Sequence, residues 1–238
     1  MKYICDPHIV PSVVPADLSA IGAAVERSAY AHALHIDIVD GIFAADQTWP
    51  PSIEAVSDVA AVVHAHPQMN ITAHLMKSNP RELGIAFVKA GVRSVVGHAE
   101  AFASPKDATD ALAAWKAAGA HEVGIALKIE TPLSILGEIS GYDIVQLMSI
   151  AEIGHQGEPF DDRILSRVEE VHAEYPELMV AVDGGVSEAN IEELVRAGAN
   201  RLVVGHVLTE SDAPERIFSD MLERAMRGCA PSAAELAA

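Results

Sequence analysis

Four polar residues with metal-ligating side chains stand within apolar segments of this chain. They are His35 and Asp37 in HIDIVDG, His74 in AHLM, and Asp183 in VDGG. Side chains alternate along a strand, so His35 and Asp37 share one face, and burying them without partners is costly. Two imidazoles and two carboxylates suit one divalent ion, Zn²⁺, Fe²⁺ or Mn²⁺. We predict such a metal site; the alternative is hydrogen-bonded core histidines with Asp37 in a structural pair.

A single barrel would bring these residues together. Short apolar segments, mostly rich in Val and Ile, are typical of parallel strands covered on both faces, and a helical pattern follows each. The predicted strands are 9–14, 33–39, 70–76, 94–98, 122–128, 143–149, 179–183 and 201–207. Strand and helix alternate eight times in about 220 residues without an internal linker, which predicts an α/β protein with a single-domain (β/α)₈ TIM barrel. A doubly wound open sheet is the alternative.

Residues typical of helix starts and helix ends support these helices. SPKD (104–107) has a capping serine followed by a first-turn proline, and glycines end the helices at KAG (89–91), AAG (117–119) and RAG (196–198). We place the barrel domain at residues 1–228 and a frayed or weakly helical tail at 229–238.

The active site of such a barrel lies at the C-terminal ends of the strands. Gly184 and Gly185 follow the seventh strand and Gly205 follows the eighth, where loops often bind phosphate. A helix from residue 187 is expected to add its positive end. His98 and Glu100, after the fourth strand, are either orienting groups for metal ligands or rim residues.

Charge and composition exclude several classes of protein. The formal net charge is −18, which opposes broad electrostatic binding to nucleic acid or to an anionic membrane, so an anionic ligand needs local attraction. No apolar run reaches the length of a membrane span, and the N-terminus lacks a signal-peptide core. Cys5 and Cys229 are far apart in sequence. We predict a soluble, cytoplasmic protein without a disulfide framework.

The motifs resemble those of the ribulose-phosphate 3-epimerase family, in the ribulose-phosphate-binding barrel superfamily. The matching pieces follow the family order over nearly the whole chain: PSVVPADLSAIG, HIDIVDGIF, AHLM, GHAEA, ETP, LMS, VDGGVSEANI and AGANRLVVG. The resemblance implies epimerisation at C3 of a ketose 5-phosphate, interconverting D-ribulose 5-phosphate and D-xylulose 5-phosphate, with zinc, iron or manganese bound. It also implies a small-molecule sugar phosphate as ligand and a homo-oligomer.

The same resemblance assigns roles to residues. His35, Asp37, His74 and Asp183 match the metal ligands, and Asp37 with Asp183 match the catalytic acid/base pair. The residues assigned to substrate binding are Ser12, His74, Met76, Met148, Gly154, Gln156, Gly184, Gly185, Gly205 and His206.

Four departures concern the substrate rather than the reaction. The family's glycine-rich NPGFGGQ-like loop, which closes over substrate, reads IAEIGHQGEP (150–159) here, and its FVPN segment reads FAAD (43–46), which adds Asp46. In addition, His206 replaces a serine and Val39 replaces a common methionine. The substrate is therefore open between ribulose 5-phosphate and another ketose phosphate, such as a hexulose 6-phosphate or a four-carbon sugar.

Other reactions on the same barrel are a further alternative. Related decarboxylases and synthases use a lysine near the second-strand acid, and residues 31–50 contain none. A non-catalytic sugar-phosphate-binding barrel is disfavoured because a binding module needs no acid/base pair.

Overall fold

The protein is a closed eight-stranded parallel barrel in the computed structural model, which describes residues 5–230. The strands pair in sequence order and the first pairs with the last, as Ile9 opposite Leu202 illustrates. The strands are β1 His8–Val13, β2 Ala33–Val39, β3 Asn70–Met76, β4 Ser94–His98, β5 Glu122–Leu127, β6 Ile144–Met148, β7 Met179–Asp183 and β8 Arg201–Val204. The predicted fold class is confirmed, and the open sheet is excluded.

Helices cover the outside of the barrel. The α-helices are α1 Leu18–Arg27, α2 Val59–Ala65, α3 Arg81–Lys89, α4 Pro105–Ala118, α5 Ile164–Glu174, α6 Ile191–Ala197, α7 His206–Thr209 and α8 Pro214–Gly228. Between β5 and β6 the helical segment is a 3₁₀-helix, Leu133–Glu138. The predicted cap of α4 is confirmed, because the Ser104 side chain accepts a hydrogen bond from the Asp107 N–H and Pro105 follows it.

The two faces of the barrel strands carry different kinds of side chain. In β2, Leu34, Ile36 and Ile38 face the helices in the main core. His35 and Asp37 alternate with them and face the barrel interior, as strand geometry requires. Val39, at the end of that inner row, belongs to a smaller apolar cluster at the C-terminal mouth.

The strand predictions differ from the structure mainly at the eighth strand. It ends at Val204, and Gly205 with φ −94° and ψ −99° leads directly into α7. His206 therefore begins a helix rather than ending a strand. Similarly, α6 begins at Ile191, one turn later than the predicted helix from 187. The segment Gly184–Ser187 is consequently a turn whose own backbone borders the barrel mouth.

A disulfide joins Cys5 to Cys229, so the prediction of a protein without a disulfide framework is corrected by this one bond. The two residues are separated by 224 positions, yet their Cα atoms lie 5.6 Å apart. Pairing of β1 with β8 and packing of α8 against β1 bring the two ends of the barrel together. The bond thereby ties the segment before β1 to the end of α8. Of the predicted tail, residues 231–238 lie outside the described residues, and its boundary stays a prediction.

Among the helices that the structure describes, none combines the length and the apolar character that a bilayer crossing demands.

Candidate active site and metal centre

The four predicted metal ligands lie together at the C-terminal end of the barrel. Asp37 on β2 stands opposite His74 on β3, and Asp183 ends β7. His35 lies two residues before Asp37 on the same inward face. One ligand atom from each of the four residues falls within 4.8 Å of all the others, and all four residues are buried. Neighbouring strands and barrel closure thus assemble a cluster from residues up to 148 positions apart.

Close contacts link the imidazoles to the carboxylates. His74 Nδ1 lies 2.9 Å from Asp37 Oδ1 and 3.4 Å from Asp183 Oδ2. His35 Nε2 lies 3.5 Å from each of the same two oxygens, which is beyond good hydrogen-bond length. Both ring nitrogens of His35 are buried without a hydrogen-bond partner. A buried imidazole with two unsatisfied nitrogens is costly, unless one of them has a ligand to bind.

The electrostatics of the cluster call for a positive charge. Burial alone would raise the pKa of Asp37, but its contacts with the imidazoles of His35 and His74 hold the pKa well below its usual range. Burial alone would lower the pKa of His74, but Asp183 and Asp37 raise it to about 9. The contacts with Asp183 and Asp37 therefore favour a proton on His74, at the place where a bound cation would replace it.

The donor set fits a divalent transition metal. Two neutral imidazoles and two carboxylates are ligands that Zn²⁺, Fe²⁺ and Mn²⁺ accept, and the unsatisfied nitrogens of His35 supply the structural reason to expect one.

An open cavity of about 210 Å³ lies above the cluster. Asp37 and Asp183 line it, so both carboxylates reach the space where a ligand would bind. The other predicted residues that line it are Ser12, Met76, Met148, Gly154, Gln156, Gly184, Gly185, Gly205 and His206. His74, which the resemblance also assigns to substrate, is fully buried and does not line the cavity.

The match to a known family covers most of the chain. A sequence model of the Ribulose-phosphate 3 epimerase family matches residues 8–209. The chain belongs to the ribulose-phosphate 3-epimerase family. The "Ribulose-phosphate 3-epimerase" of Aquifex aeolicus is 32% identical over 204 residues, covering 83% of this chain and 87% of that protein. The protein of the same name from Candida glabrata is 30% identical over 230 residues, covering 91% and 92%. This epimerase-family chain is accordingly an isomerase.

Solved structures resemble the epimerase-family barrel at lower identity. The 3-keto-L-gulonate-6-phosphate decarboxylase of Vibrio cholerae has a TM-score of 0.70 at 13% identity, covering 93% of this chain and 98% of that one. The 3-hexulose-6-phosphate synthase of Salmonella typhimurium has a TM-score of 0.69 at 12% identity, covering 93% and 99%. These likenesses show the fold alone.

Gln146 is a buried polar residue of this epimerase-family site that the sequence reasoning missed. It lies on β6, 1% exposed, and its Nε2 donates a 2.7 Å hydrogen bond to Asp183 Oδ2. Its amide nitrogen also lies 3.3 Å from His74 Nδ1. A signal was present, because Gln146 is polar within an apolar strand and lies two residues before Met148, on the same face.

His98 and Glu100 extend the site away from the cavity. His98 Nε2 lies 2.9 Å from His74 Nε2, and His98 Nδ1 lies 3.3 Å from Glu100 Oε2. Burial lowers the pKa of His98 to about 4. Burial opposes ionisation of Glu100, but the contacts with His98 and the hydrogen bonds from Thr131 and Lys128 lower its pKa to about 2. Of the two sequence-based alternatives, the structure favours the orienting arrangement.

The loop after β6 covers the mouth of the epimerase-family barrel. Ile150 and Ile153 are buried against Val39, Met76 and Met148, forming an apolar roof at the edge of the cavity. The Val39 position therefore remains part of the roof despite lacking the family's methionine.

The polar half of the same loop contacts β1 and α7. Gln156 Nε2 lies 3.3 Å from Ser12 Oγ, and Thr209 Oγ1 donates to Gln156 Oε1 at 3.2 Å. His155 Nε2 lies 2.8 Å from Glu158 Oε1, and both residues line the cavity. The loop thus brings a carboxylate to the mouth, next to the turn expected to hold the phosphate.

His206 contacts a carboxylate, which does not suit a purely phosphate-binding role. Its Nδ1 lies 3.2 Å from Glu210 Oε1, one turn later in chain order, and its side chain is 54% exposed. It lines the cavity. No lysine or arginine of the described residues joins it there.

Proposed function

We propose that this family member is a divalent-metal-dependent epimerase of ketose phosphates that inverts C3, with D-ribulose 5-phosphate and D-xylulose 5-phosphate as the default pair. The observation that carries this proposal is the position of the two aspartates. Asp37 and Asp183 come from strands separated by β1 and β8, and both line one cavity while contacting the same two histidines.

The chemistry requires two proton-transfer groups. One carboxylate takes the proton from C3 of the ketose, and the other, carrying a proton, delivers it to the opposite face of the resulting enediolate. Atoms balance because one proton leaves and one arrives, and the two carboxyls exchange roles in the reverse direction. Inversion requires the two carboxylates to act from opposite faces, and two different strands can supply such faces.

A divalent cation held by His35, Asp37, His74 and Asp183 would stabilise the negative charge that develops on the enediolate oxygens. The chain's remaining residues have positioning roles in this proposal. Gln146 holds Asp183 through its hydrogen bond, and the apolar roof excludes water from the reacting carbon.

The phosphate handle is assigned to the turn after β7. Gly184 and Gly185 have φ values of 111° and 62°, which L side chains rarely adopt, and they line the cavity with Gly205. Exposed backbone amides in such turns bind anions without a basic side chain. This arrangement suits a chain with a net charge of −18, because the attraction for phosphate is local.

A second candidate substrate is another ketose phosphate, such as a hexulose 6-phosphate or a four-carbon sugar phosphate. The observation that favours it is the carboxylate of Glu158, which lines the cavity beside His155 in the loop that departs from the family pattern. An extra carboxylate at the mouth offers a hydrogen-bond acceptor to a sugar hydroxyl.

The test is turnover of a panel of ketose phosphates in D₂O by metal-reconstituted protein. We expect epimerisation of ribulose 5-phosphate with one deuterium entering at C3, and loss of ~10²–10⁴-fold in rate or more for Asp37→Asn and for Asp183→Asn. Asp110→Asn, on the exposed outer face of α4, should keep full activity. Failure to turn over any ketose phosphate with metal bound would refute the proposal, and preference for another sugar would select the second candidate.

Location and assembly stay predictions. A cytoplasmic location accords with the rice relative named as a cytoplasmic isoform, whereas the Cys5–Cys229 disulfide is more typical of oxidising compartments. Homo-oligomeric assembly rests on the resemblance, and sedimentation of the purified protein would test it.

A further inference from the structure

A chain of three titratable side chains leads from the metal-ligand cluster into the barrel wall. His74 Nε2 meets His98 Nε2 at 2.9 Å, and His98 Nδ1 meets Glu100 Oε2 at 3.3 Å. Both histidines are fully buried, so neither exchanges these partners for water. Only one of two facing imidazole nitrogens can carry the shared proton, so the hydrogen bonds along these three side chains can run in either of two directions.

The far end of the chain decides between these directions. Glu100 Oε1 accepts a 2.8 Å hydrogen bond from the Lys128 backbone N–H and a second, short one from the Thr131 hydroxyl. Both of these groups donate to Oε1, and an ionised carboxylate has no proton of its own to donate, so Glu100 Oε2 accepts from His98 Nδ1. His98 Nε2 then has a lone pair, and His74 Nε2 must carry the proton between the two rings.

We propose that Glu100 and His98 are positioning residues that fix the tautomer of His74, keeping its proton on Nε2 and presenting the Nδ1 lone pair to the metal. Nδ1 is the nitrogen that lies 2.9 Å from Asp37 Oδ1 and 3.4 Å from Asp183 Oδ2. The inference rests on the metal site of the proposed function. It adds two residues to that site, neither of which contacts the cavity.

Packing alone does not account for the arrangement. The His74 and His98 rings are stacked with centroids 5.0 Å apart, which any pair of aromatic rings could achieve. Stacking does not require a nitrogen–nitrogen contact of 2.9 Å, nor a carboxylate held by two donors at the end of the chain. Partners of this kind orient metal-bound histidines and raise their basicity.

The substitution Glu100→Gln reverses the direction of the hydrogen bonds from His74 through His98 to residue 100, with almost no change in side-chain shape. The Lys128 N–H still requires an oxygen at the Oε1 position, so the new amide nitrogen faces His98 Nδ1 and donates to it. His98 then needs its proton on Nε2, which places the His74 proton on Nδ1, the nitrogen that must bind metal. We expect the affinity for Zn²⁺ alone, measured by competition with a chromophoric chelator, to fall ~10–100-fold.

Glu122→Gln is the matched control. Glu122 begins β5 at the opposite end of the barrel, where its carboxylate contacts Arg201 at 3.2 Å. The substitution Glu122→Gln removes one carboxylate charge from the strand next to β4 and leaves the hydrogen bonds of His74, His98 and Glu100 unchanged. We expect it to bind Zn²⁺ as wild type does. Equal Zn²⁺ affinity in Glu100→Gln and Glu122→Gln would overturn the proposal.

A measurement on the wild-type protein does not depend on how any variant folds. In ¹⁵N–¹H spectra of histidine-labelled, zinc-loaded protein, His98 should be protonated at Nδ1 and His74 at Nε2. A proton on His98 Nε2 would overturn the proposed hydrogen-bond directions. Failure of wild-type protein to bind Zn²⁺ would instead refute the proposed function, so the two failures are distinguishable.

Discussion

The hydrogen bond from Gln146 to Asp183 gives a sharp test of how the site is held. Gln146→Leu removes the 2.7 Å donor to Asp183 Oδ2 and leaves a carboxylate that is only 8% exposed. The nearest remaining nitrogens, His74 Nδ1 at 3.4 Å and His35 Nε2 at 3.5 Å, are too far to replace a good hydrogen bond.

The expected magnitude follows from the charge of the acceptor. A hydrogen bond to a charged group contributes about 1.5–3 kcal/mol, and leaving a buried acceptor unsatisfied costs at least as much as a neutral hydrogen bond. We therefore expect the free energy of unfolding of the chelator-treated protein to fall by about 1.5–3 kcal/mol. The same energy lost only from the transition state corresponds to a fall in kcat/KM of roughly 10–150-fold.

Urea unfolding, monitored by tryptophan fluorescence, and steady-state kinetics are the assays. Gln156→Leu is the matched control for stability, because that half-buried amide makes only long hydrogen bonds to neutral groups: it donates to Ser12 at 3.3 and 3.4 Å and accepts from Thr209 Oγ1 at 3.2 Å. We expect it to cost about 0.5 kcal/mol or less. If Gln146→Leu unfolds with the same free energy as Gln156→Leu and keeps wild-type kcat/KM, Asp183 is not held by Gln146.

Three further predictions concern the handle, the metal and the disulfide. Gly184→Ala places a Cβ 2.7 Å from the buried side chain of Ile150 at a backbone φ of 111°, so kcat/KM should fall ~10–100-fold from overpacking and strain of the cavity wall, and an unchanged value would contradict this packing. Chelation should lower the melting temperature by the equivalent of about 2.7 kcal/mol for metal held at 100 times its Kd; no shift would argue against a bound ion. Cys229→Ser, which leaves Cys5 unpaired, should lower the free energy of unfolding by about 2–5 kcal/mol relative to the oxidised protein, whereas equal stability would show that the bond constrains little.

The barrel was predictable because its strands are buried on both faces. Segments such as NITAHLM and MVAVD coincide with β3 and β7 as the structure has them, since short, mostly apolar segments bounded by turn-forming residues such as proline and glycine leave few alternatives. The candidate ligands were predictable for a related reason. A charged or imidazole side chain inside such a run, as at His35 and His74, contradicts the local pattern and marks a site.

The features that escaped prediction depend on contacts between distant elements. Gln146 needed the register of β6 against β7 to show that its amide meets Asp183, and a single polar residue in an apolar strand has several possible explanations. The Cys5–Cys229 bond needed barrel closure to join positions 224 residues apart. The late start of α6 at Ile191 depends on turn geometry after Gly185, which hydrophobic periodicity does not report.

The structure divides the site into a part built on strands and a part built on loops, and by the family resemblance most departures from the family motifs lie in the loop part. The acids, imidazoles and Gln146 project from β2, β3, β6 and β7, where each backbone is fixed by two neighbouring strands. Displacing any of them would require a change in barrel register, so the proton-transfer geometry is strongly constrained. The loop with His155 and Glu158 is held by side-chain contacts that a few substitutions can rearrange. The reaction type is therefore the conservative property in our proposal, and differences in substrate should trace to the departures at the mouth, residues 150–159 together with Val39 and His206, rather than to the acids and imidazoles.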